Sequence, residues 1–256
     1  MRALITNDDG IGSPGLWALA RGALDAGFEV TVAAPHVDST GVGASVFAVA
    51  ESGAVKVHPQ VRPELDVPAY AVEGHPAFIV HAAVEGWFDP PPEIVLSGTN
   101  IGANVGHVVL HSGTVGAALT AALHGLPALA TSLDCGLRGR DGAHWDSVRA
   151  MLPEVFEVLL ASPRGTALSL NVPDLPAAEL KPLREAELAD FGAVQVRVAH
   201  TAGPEGSPGT LRTTISDPDE RPAEGTDIAL LAQGHPTLTA LRTISAVPGL
   251  ALAPTR

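Results

Sequence analysis

"RALITNDDGIGSPGLWALARGALDAGFEVTVAAP", residues 2–35, reads as strand, helix and strand in one pass. Arg2 to Thr6 is a short apolar run of the kind buried in a parallel sheet. Ser13 stands at an N-cap position with Pro14 at the first helical one. Leu16, Leu19, Ala20, Ala23 and Leu24 then recur at helical spacing until Gly27. Glu29 to Ala34 forms the second strand, stopped by Pro35. A βαβ unit of this kind implies a parallel sheet covered by helices.

The rest of the chain extends that reading. Weaker strand signals fall at Val46–Val49 and Ala54–Val57, and a helix at 76–88. Ile94 to Leu96 is a buried strand, followed by what reads as a polar turn, Ser97-Gly98-Thr99-Asn100. A helix from Ser112 to Gly125, a strand at 128–131, a helix near 145–161 and a strand at 167–170 follow. Residues 195–199 and 211–215 flank the turn-rich "TAGPEGSPGT" and predict a peripheral hairpin. The fold class expected is α/β: a Rossmann-like, mostly parallel sheet with helices on both faces, plus a smaller C-terminal β-hairpin or extended appendage. The division expected is a catalytic core at 1–175 and an appendage at 176–256.

Composition narrows the functions. Lys and Arg number 15 against 28 Asp and Glu, a net charge of −13, and the densest basic stretch is Arg138-Gly139-Arg140. Neutralising a phosphate backbone requires more positive charge, so polymeric nucleic acid is not the expected partner. The single cysteine, Cys135, cannot form an internal disulfide, reads as a buried structural thiol and suits a reducing cytoplasm. The start of the chain lacks a signal-peptide pattern. The longest apolar stretch, 117–133, is broken by His124, Gly125 and Pro127. A soluble, cytoplasmic protein without membrane association is expected.

Gly10-x-Gly12-x-x-Gly15 matches a dinucleotide fingerprint. The acidic residue which that fingerprint wants at the end of the second strand is missing, since the strand ends Ala34-Pro35-His36. Asp8 and Asp9 would also repel a pyrophosphate. The glycines therefore read as structural: Gly10 for a sharp turn, Gly15 for close packing of helix on sheet.

Ligands of open parallel sheets collect at the carboxyl ends of the strands. Three loops reach that edge: "TNDDG", "APHVDSTGVG" and "SGTNIGAN". They offer Asp8 and Asp9, Ser39 or Thr40, and Asn100 or Asn104. Adjacent carboxylates resist joint ionisation without a cation. Carboxylate, hydroxyl and amide oxygens suit Mg²⁺ or Mn²⁺. A turn facing a helix dipole would explain one aspartate, but two in a row opposite oxygen-rich loops point to a metal. Ser112-Gly113-Thr114 opens a helix, either as an ordinary N-cap or as a phosphate cradle. His107 and His111 read as a general acid, a phosphate ligand or loop packing. His75 and His124 show no partner in the sequence and read as structural, and Trp17, Trp87 and Trp145 as fillers.

These segments together resemble the stationary-phase survival protein SurE family of metal-dependent 5′-nucleotidases. The matching stretches are "ITNDDGIGSPGLWAL", "VAAPHVDSTGVGAS", "VEGHPA", "VLSGTNIGANVG", "HSGTVGAAL", "LNVP", "EGTD" and "GHPTLTAL", in order from residue 5 to about 241. The resemblance implies that Asp8, Asp9, Thr40 and Asn100 hold one divalent metal ion per subunit, Mg or Mn. It implies that Asn104, Ser112, Gly113 and Thr114 seat the phosphate, with Asp8, Asp9 and Asn100 catalytic. It further implies nucleoside monophosphate substrates and a homodimer or homotetramer, with residues 194–256 exchanged between subunits. The chain departs from the family pattern at Thr40, where serine is usual, and at His36, Ala44, Phe47 and His75. These departures keep open a second reading, a non-catalytic nucleotide- or metal-binding regulator; a water or an aspartate nucleophile also remains open.

Overall fold

The computed structural model describes residues 1–46, 53–62, 64–136, 142–192, 195–201, 209–216 and 221–246. Its strands are β1 (Arg2–Thr6), β2 (Glu29–Pro35), β3 (Val57–Gln60), β4 (Ala69–Val72), β5 (Ile94–Ile101), β6 (Ala128–Asp134), β7 (Thr166–Pro173), β8 (Arg184–Glu185), β9 (Gln195–Thr201), β10 (Thr210–Ser216) and β11 (Thr237–Arg242). Nine of them form one sheet in the order β3-β4-β2-β1-β5-β6-β7-β11-β8. The run from β4 to β7 is parallel throughout. β3 and β11 pair antiparallel at its two sides, and β8 adds parallel to β11. β9 and β10 make a separate antiparallel pair, the expected hairpin. The α/β, mostly parallel architecture is the one the first 35 residues predict.

The helices are α1 (Pro14–Asp25), α2 (Pro76–Ala82), α3 (Gly113–Leu123), α4 (Trp145–Ala161) and α5 (Asp227–Ala232). Strand side chains alternate between two apolar layers, as a period of two requires. Ala3 and Ile5 of β1, with Ile94 and Leu96 of β5, join Leu16, Leu19 and Ala23 of α1 and Leu152 and Phe156 of α4. Leu4 and Val95 face the other way, onto Ile79 and Val80 of α2 and Val115, Ala118 and Ala121 of α3. The small residues of α3 let it lie close on the sheet, which sets its N-terminal turn against the strand ends.

Several local expectations are corrected. Ser97 to Asn100 is not a turn after a strand but part of β5, whose pairing with β6 shifts register between Ser97 and Asn100. Gly98 permits this: at φ +124° it lies so close to β6 that a Cβ would stand 2.3 Å from the Thr131 carbonyl oxygen. The strand expected at Ala54–Val57 begins at Val57 and runs to Gln60, with Pro59 tolerated because β3 is an edge strand. β4 and β11 lack strong sequence signals and were not expected. The strand expected at Val46–Val49, together with Phe47, lies outside the described residues except for Val46, as do Arg138, Arg140, most of the hairpin turn and residues 247–256. No helix among the described residues is long and apolar enough to cross a membrane.

Gly15 performs the packing role expected of it: a Cβ there would lie 2.1 Å from the Thr99 carbonyl oxygen. Gly10 turns the chain at φ +91°, and Ile11 N–H then donates to the Pro35 carbonyl at 2.8 Å. The loop carrying Asp8 and Asp9 is thereby pinned to the end of β2. Ser13 occupies the N-cap of α1 but its hydroxyl makes no capping bond. Cys135 is buried as expected, and burial pushes its thiol up to about 11.

Candidate active site at the carboxyl edge of the sheet

β1 delivers Asp8 and Asp9, β5 delivers Asn100, and α3 begins at Gly113 directly opposite. Asp8 is 3% exposed. Its Oδ1 accepts a hydrogen bond from the Thr114 hydroxyl. A Cβ at position 113 would stand 2.7 Å from both Cβ and Oδ2 of Asp8, so only glycine lets helix and carboxylate approach this closely. The Thr114 hydroxyl also lies 3.4 Å from Asn100 Oδ1, while Asn100 Nδ2 donates to the Gly102 carbonyl at 2.8 Å. With the amide nitrogen so engaged, the Asn100 amide oxygen is the atom that faces Thr114. Asp9 Oδ2 accepts from the Ile101 N–H at 3.2 Å. The Asp8-Asp9 pair, the Asn100–Ile101 stretch and Thr114, three separate parts of the chain, are thus linked into one group.

Burial raises the pKa of Asp8 above its ordinary value, and the negative charge of Asp38 raises it further; the hydrogen bonds from Thr114 oppose this. Among the described residues no Lys or Arg pairs with Asp8. A desolvated carboxylate held by neutral donors, beside a second carboxylate and an amide oxygen, is a donor set that fits a hard divalent cation. Ser112 is the N-cap of α3, its Oγ accepting from Val115 N–H at 3.1 Å.

The loop after β2 carries Ser39 and Thr40. Ser39 donates to the Asp8 carbonyl through its backbone N–H at 2.8 Å. Thr40 is exposed, and its hydroxyl donates to Asp38 Oδ1 at 2.6 Å. Gly43 lies against Leu110 and Gly116, which docks this loop on the start of α3. Beside it opens a cavity of about 550 Å³ lined by His36, Asp38, Thr40, Glu73 and His75 among others. His36 and His75, two of the departures from the family pattern, therefore face the same space.

Asn104 occupies neighbouring ground over the ends of β6 and β7. Its Nδ2 donates to Ser132 Oγ at 2.9 Å. Asn171 grips its backbone on both sides, accepting from Asn104 N–H at 2.8 Å and donating to its carbonyl at 2.9 Å. Asp227, fully buried, accepts from Gly106 N–H at 2.7 Å and from Ala189 N–H at 3.0 Å. Sequence reasoning assigned no role to Asn171 or Asp227, although both fall in the quoted segments "LNVP" and "EGTD". Each anchors the glycine-rich loop to chain far away in sequence. His107 and His111 lie exposed on one 3-10 turn, His107–His111. His124 corrects its expectation of having no partner: its Nε2 lies 3.4 Å from His81 Nδ1.

Comparison with known proteins gives the family and supports the fold. A sequence model of the family described as Survival protein SurE matches residues 3–195. A 5′-nucleotidase SurE of Methylocella silvestris is 34% identical over 245 residues, covering 94% of this chain and 93% of that protein. A 5′-nucleotidase SurE of Dehalococcoides mccartyi is 33% identical over 243 residues, covering 94% and 88% respectively. The crystal structure of the SurE protein from Aquifex aeolicus superposes with a TM-score of 0.76 at 28% identity, over 94% of this chain and 93% of that one.

Proposed function

The chain belongs to the survival protein SurE family, and from that premise we propose that it is a divalent-metal-dependent 5′-nucleotidase. It hydrolyses nucleoside monophosphates to nucleoside and inorganic phosphate. The observation that carries the reading is the connected group of Asp8, Asp9, Asn100 and Thr114 at the carboxyl edge, facing the N-terminus of α3.

Asp8, Asp9, Asn100 and the hydroxyl of Thr40 would hold the cation, Mg²⁺ or Mn²⁺, one per subunit. When bound, the cation supplies positive charge that offsets the charge of the phosphoryl group in transfer. Thr114 keeps Asp8 oriented through its hydroxyl. Ser112, Gly113 and Thr114 present the start of α3 to the phosphate, and Asn104 borders it from the glycine-rich loop. Asp9, steadied by the Ile101 N–H, orients the attacking water and takes its proton. The water oxygen bonds to phosphorus, the ester P–O bond breaks, and the nucleoside oxygen leaves with the proton that Asp9 accepted, which restores the Asp9 carboxylate. The cavity beside His36 and His75 accommodates the nucleoside.

The hairpin β9–β10 leaves Val198 and Leu211 exposed, which supports a homodimer or homotetramer built through the C-terminal appendage. A single buried thiol and an acidic chain fit a cytoplasmic enzyme. The test is phosphate release from p-nitrophenyl phosphate and a panel of nucleoside monophosphates, with Mg²⁺, with Mn²⁺ and with chelator, beside Asp9→Asn. Metal-dependent turnover lost in the variant is expected. Nucleotide binding without turnover under either metal would overturn the catalytic reading.

A further inference from the structure

At the opposite end of α3 from Gly113, His124 caps the helix, and α2 passes beside it carrying His81. The chain continues from α2 into a single π-helical turn, Ala83–Trp87, which carries Glu85. One ligand atom from each of His81, Glu85 and His124 lies within 4.8 Å of the others. His81 is 43 residues from His124, so helix packing rather than local sequence brings the three together.

We propose that His81, Glu85 and His124 form a second cation site, selective for a borderline divalent ion such as Zn²⁺ or Ni²⁺. The facing nitrogens of His81 and His124 are 3.4 Å apart. Metal–imidazole bonds of about 2.0–2.1 Å in tetrahedral geometry separate two nitrogens by about that distance. The spacing is long for a hydrogen bond between rings that share one proton, and protonating both rings would set like charges side by side. A bound cation resolves this by accepting a lone pair from each ring, with Glu85 balancing charge. Imidazole ligands favour Zn²⁺ and Ni²⁺ over Mg²⁺, so the site selects a different class of ion from the all-oxygen group at Asp8 and Asp9. The C-terminal end of a helix also favours positive charge. α3 spans 11 residues, so at 1.5 Å per residue the two ends stand about 16 Å apart. Solvent reaches His81 and Glu85, which leaves entry and a further coordination position open. The bound ion would tie α2 to α3.

The experiment is titration of the metal-free full chain with Zn²⁺, read by calorimetry and by Tm, in wild type, His124→Gln, His81→Gln and Asp9→Asn. Wild type and Asp9→Asn are expected to share a binding event and an upward Tm shift. Both histidine variants should weaken that event at least tenfold and lose the shift, while keeping the metal-free Tm of the wild type. Glu85→Gln, a surface change that spares both rings, should weaken it also. Zn²⁺ affinity unchanged in His124→Gln and His81→Gln, or lost in Asp9→Asn, would overturn the assignment. Because the readout is binding, a catalytically inactive protein leaves the test intact.

Discussion

Gly113 packs against Asp8 so closely that a methyl group at position 113 would stand 2.7 Å from both its Cβ and its Oδ2. The contact joins the first loop of the chain to the start of α3, where the proposed site is built. Gly113→Ala must push either the carboxylate or the helix away. Overpacking of this kind costs about 1–3 kcal/mol, and displacement of a reacting group lowers activity about 100-fold. Phosphate release and thermal melts on the one variant check both; full activity would show that the approach is incidental.

Asp8 carries an opposed pair of consequences for stability and function. Its pKa in the folded protein lies above the ordinary 3.8 because burial disfavours the charge. Between those two values the folded chain holds a proton that the unfolded chain has released. Stability of the metal-free protein therefore falls as pH rises through that window, and above it the buried charge remains a cost. Asp8→Asn should raise the metal-free Tm at pH 7 while abolishing metal-supported turnover. Mg²⁺ or Mn²⁺ should stabilise the wild type more at pH 7 than at pH 4. A variant Tm below that of the wild type at pH 7 would contradict the account.

Thr114 supplies the hydroxyl that orients Asp8. Thr114→Val keeps the volume and removes the donor, and a hydrogen bond to a charged group contributes about 1.5–3 kcal/mol. We expect turnover to fall by about one to two orders of magnitude. Thr114→Ser restores the hydroxyl and should recover most of the loss; equal activities of the serine and valine variants would argue that shape alone matters.

Asp227 acts at a distance from the chemistry. Its carboxylate accepts from the N–H groups of Gly106, Ala189 and Ile228. Asn in its place would turn an N–H₂ toward at least one of those donors and forfeit charge-assisted bonding, at about 3 kcal/mol. Asp227→Asn should lower Tm by several degrees and loosen the loop bearing Asn104. Increased hydrogen exchange at residues 102–106 is the measurement, and unchanged exchange there would remove the anchoring role.

Cys135 should resist alkylation. With its thiol pushed up to about 11, few molecules carry the thiolate at pH 8. Iodoacetamide should label the native protein slowly and the urea-unfolded chain rapidly. Equal rates would mean that the thiol is neither buried nor perturbed.

How much of this was legible beforehand depended on the range of the interaction. The strand–helix–strand of residues 2–35 rests on periodicity, a proline at the helix start and a glycine at its end, all local signals, and the structure reproduces it within a residue or so. The Ser112 cap is equally local and was found where expected. Ser97 to Asn100 misled because Ser, Gly and Asn signal a turn. Only the neighbouring β6, approached closely at Gly98, holds them in a strand. β4 and β11 are short, and their identity as strands comes from the partners they pair with.

For the site, chain order and residue chemistry were enough to nominate Asp8, Asp9, Asn100 and the start of α3, because parallel strands send their following loops to one edge. Which atoms meet was decided in three dimensions. Thr114 bonds Asp8 across 106 residues, Asn171 clamps Asn104 across 67, and Asp227 reaches Gly106 across 121. His124 looked solitary until helix packing set His81 beside it. A sequence carries short-range conformational preference and residue chemistry directly. Pairings between distant side chains follow from the close packing of helices on the sheet, and that packing exists only in the folded molecule.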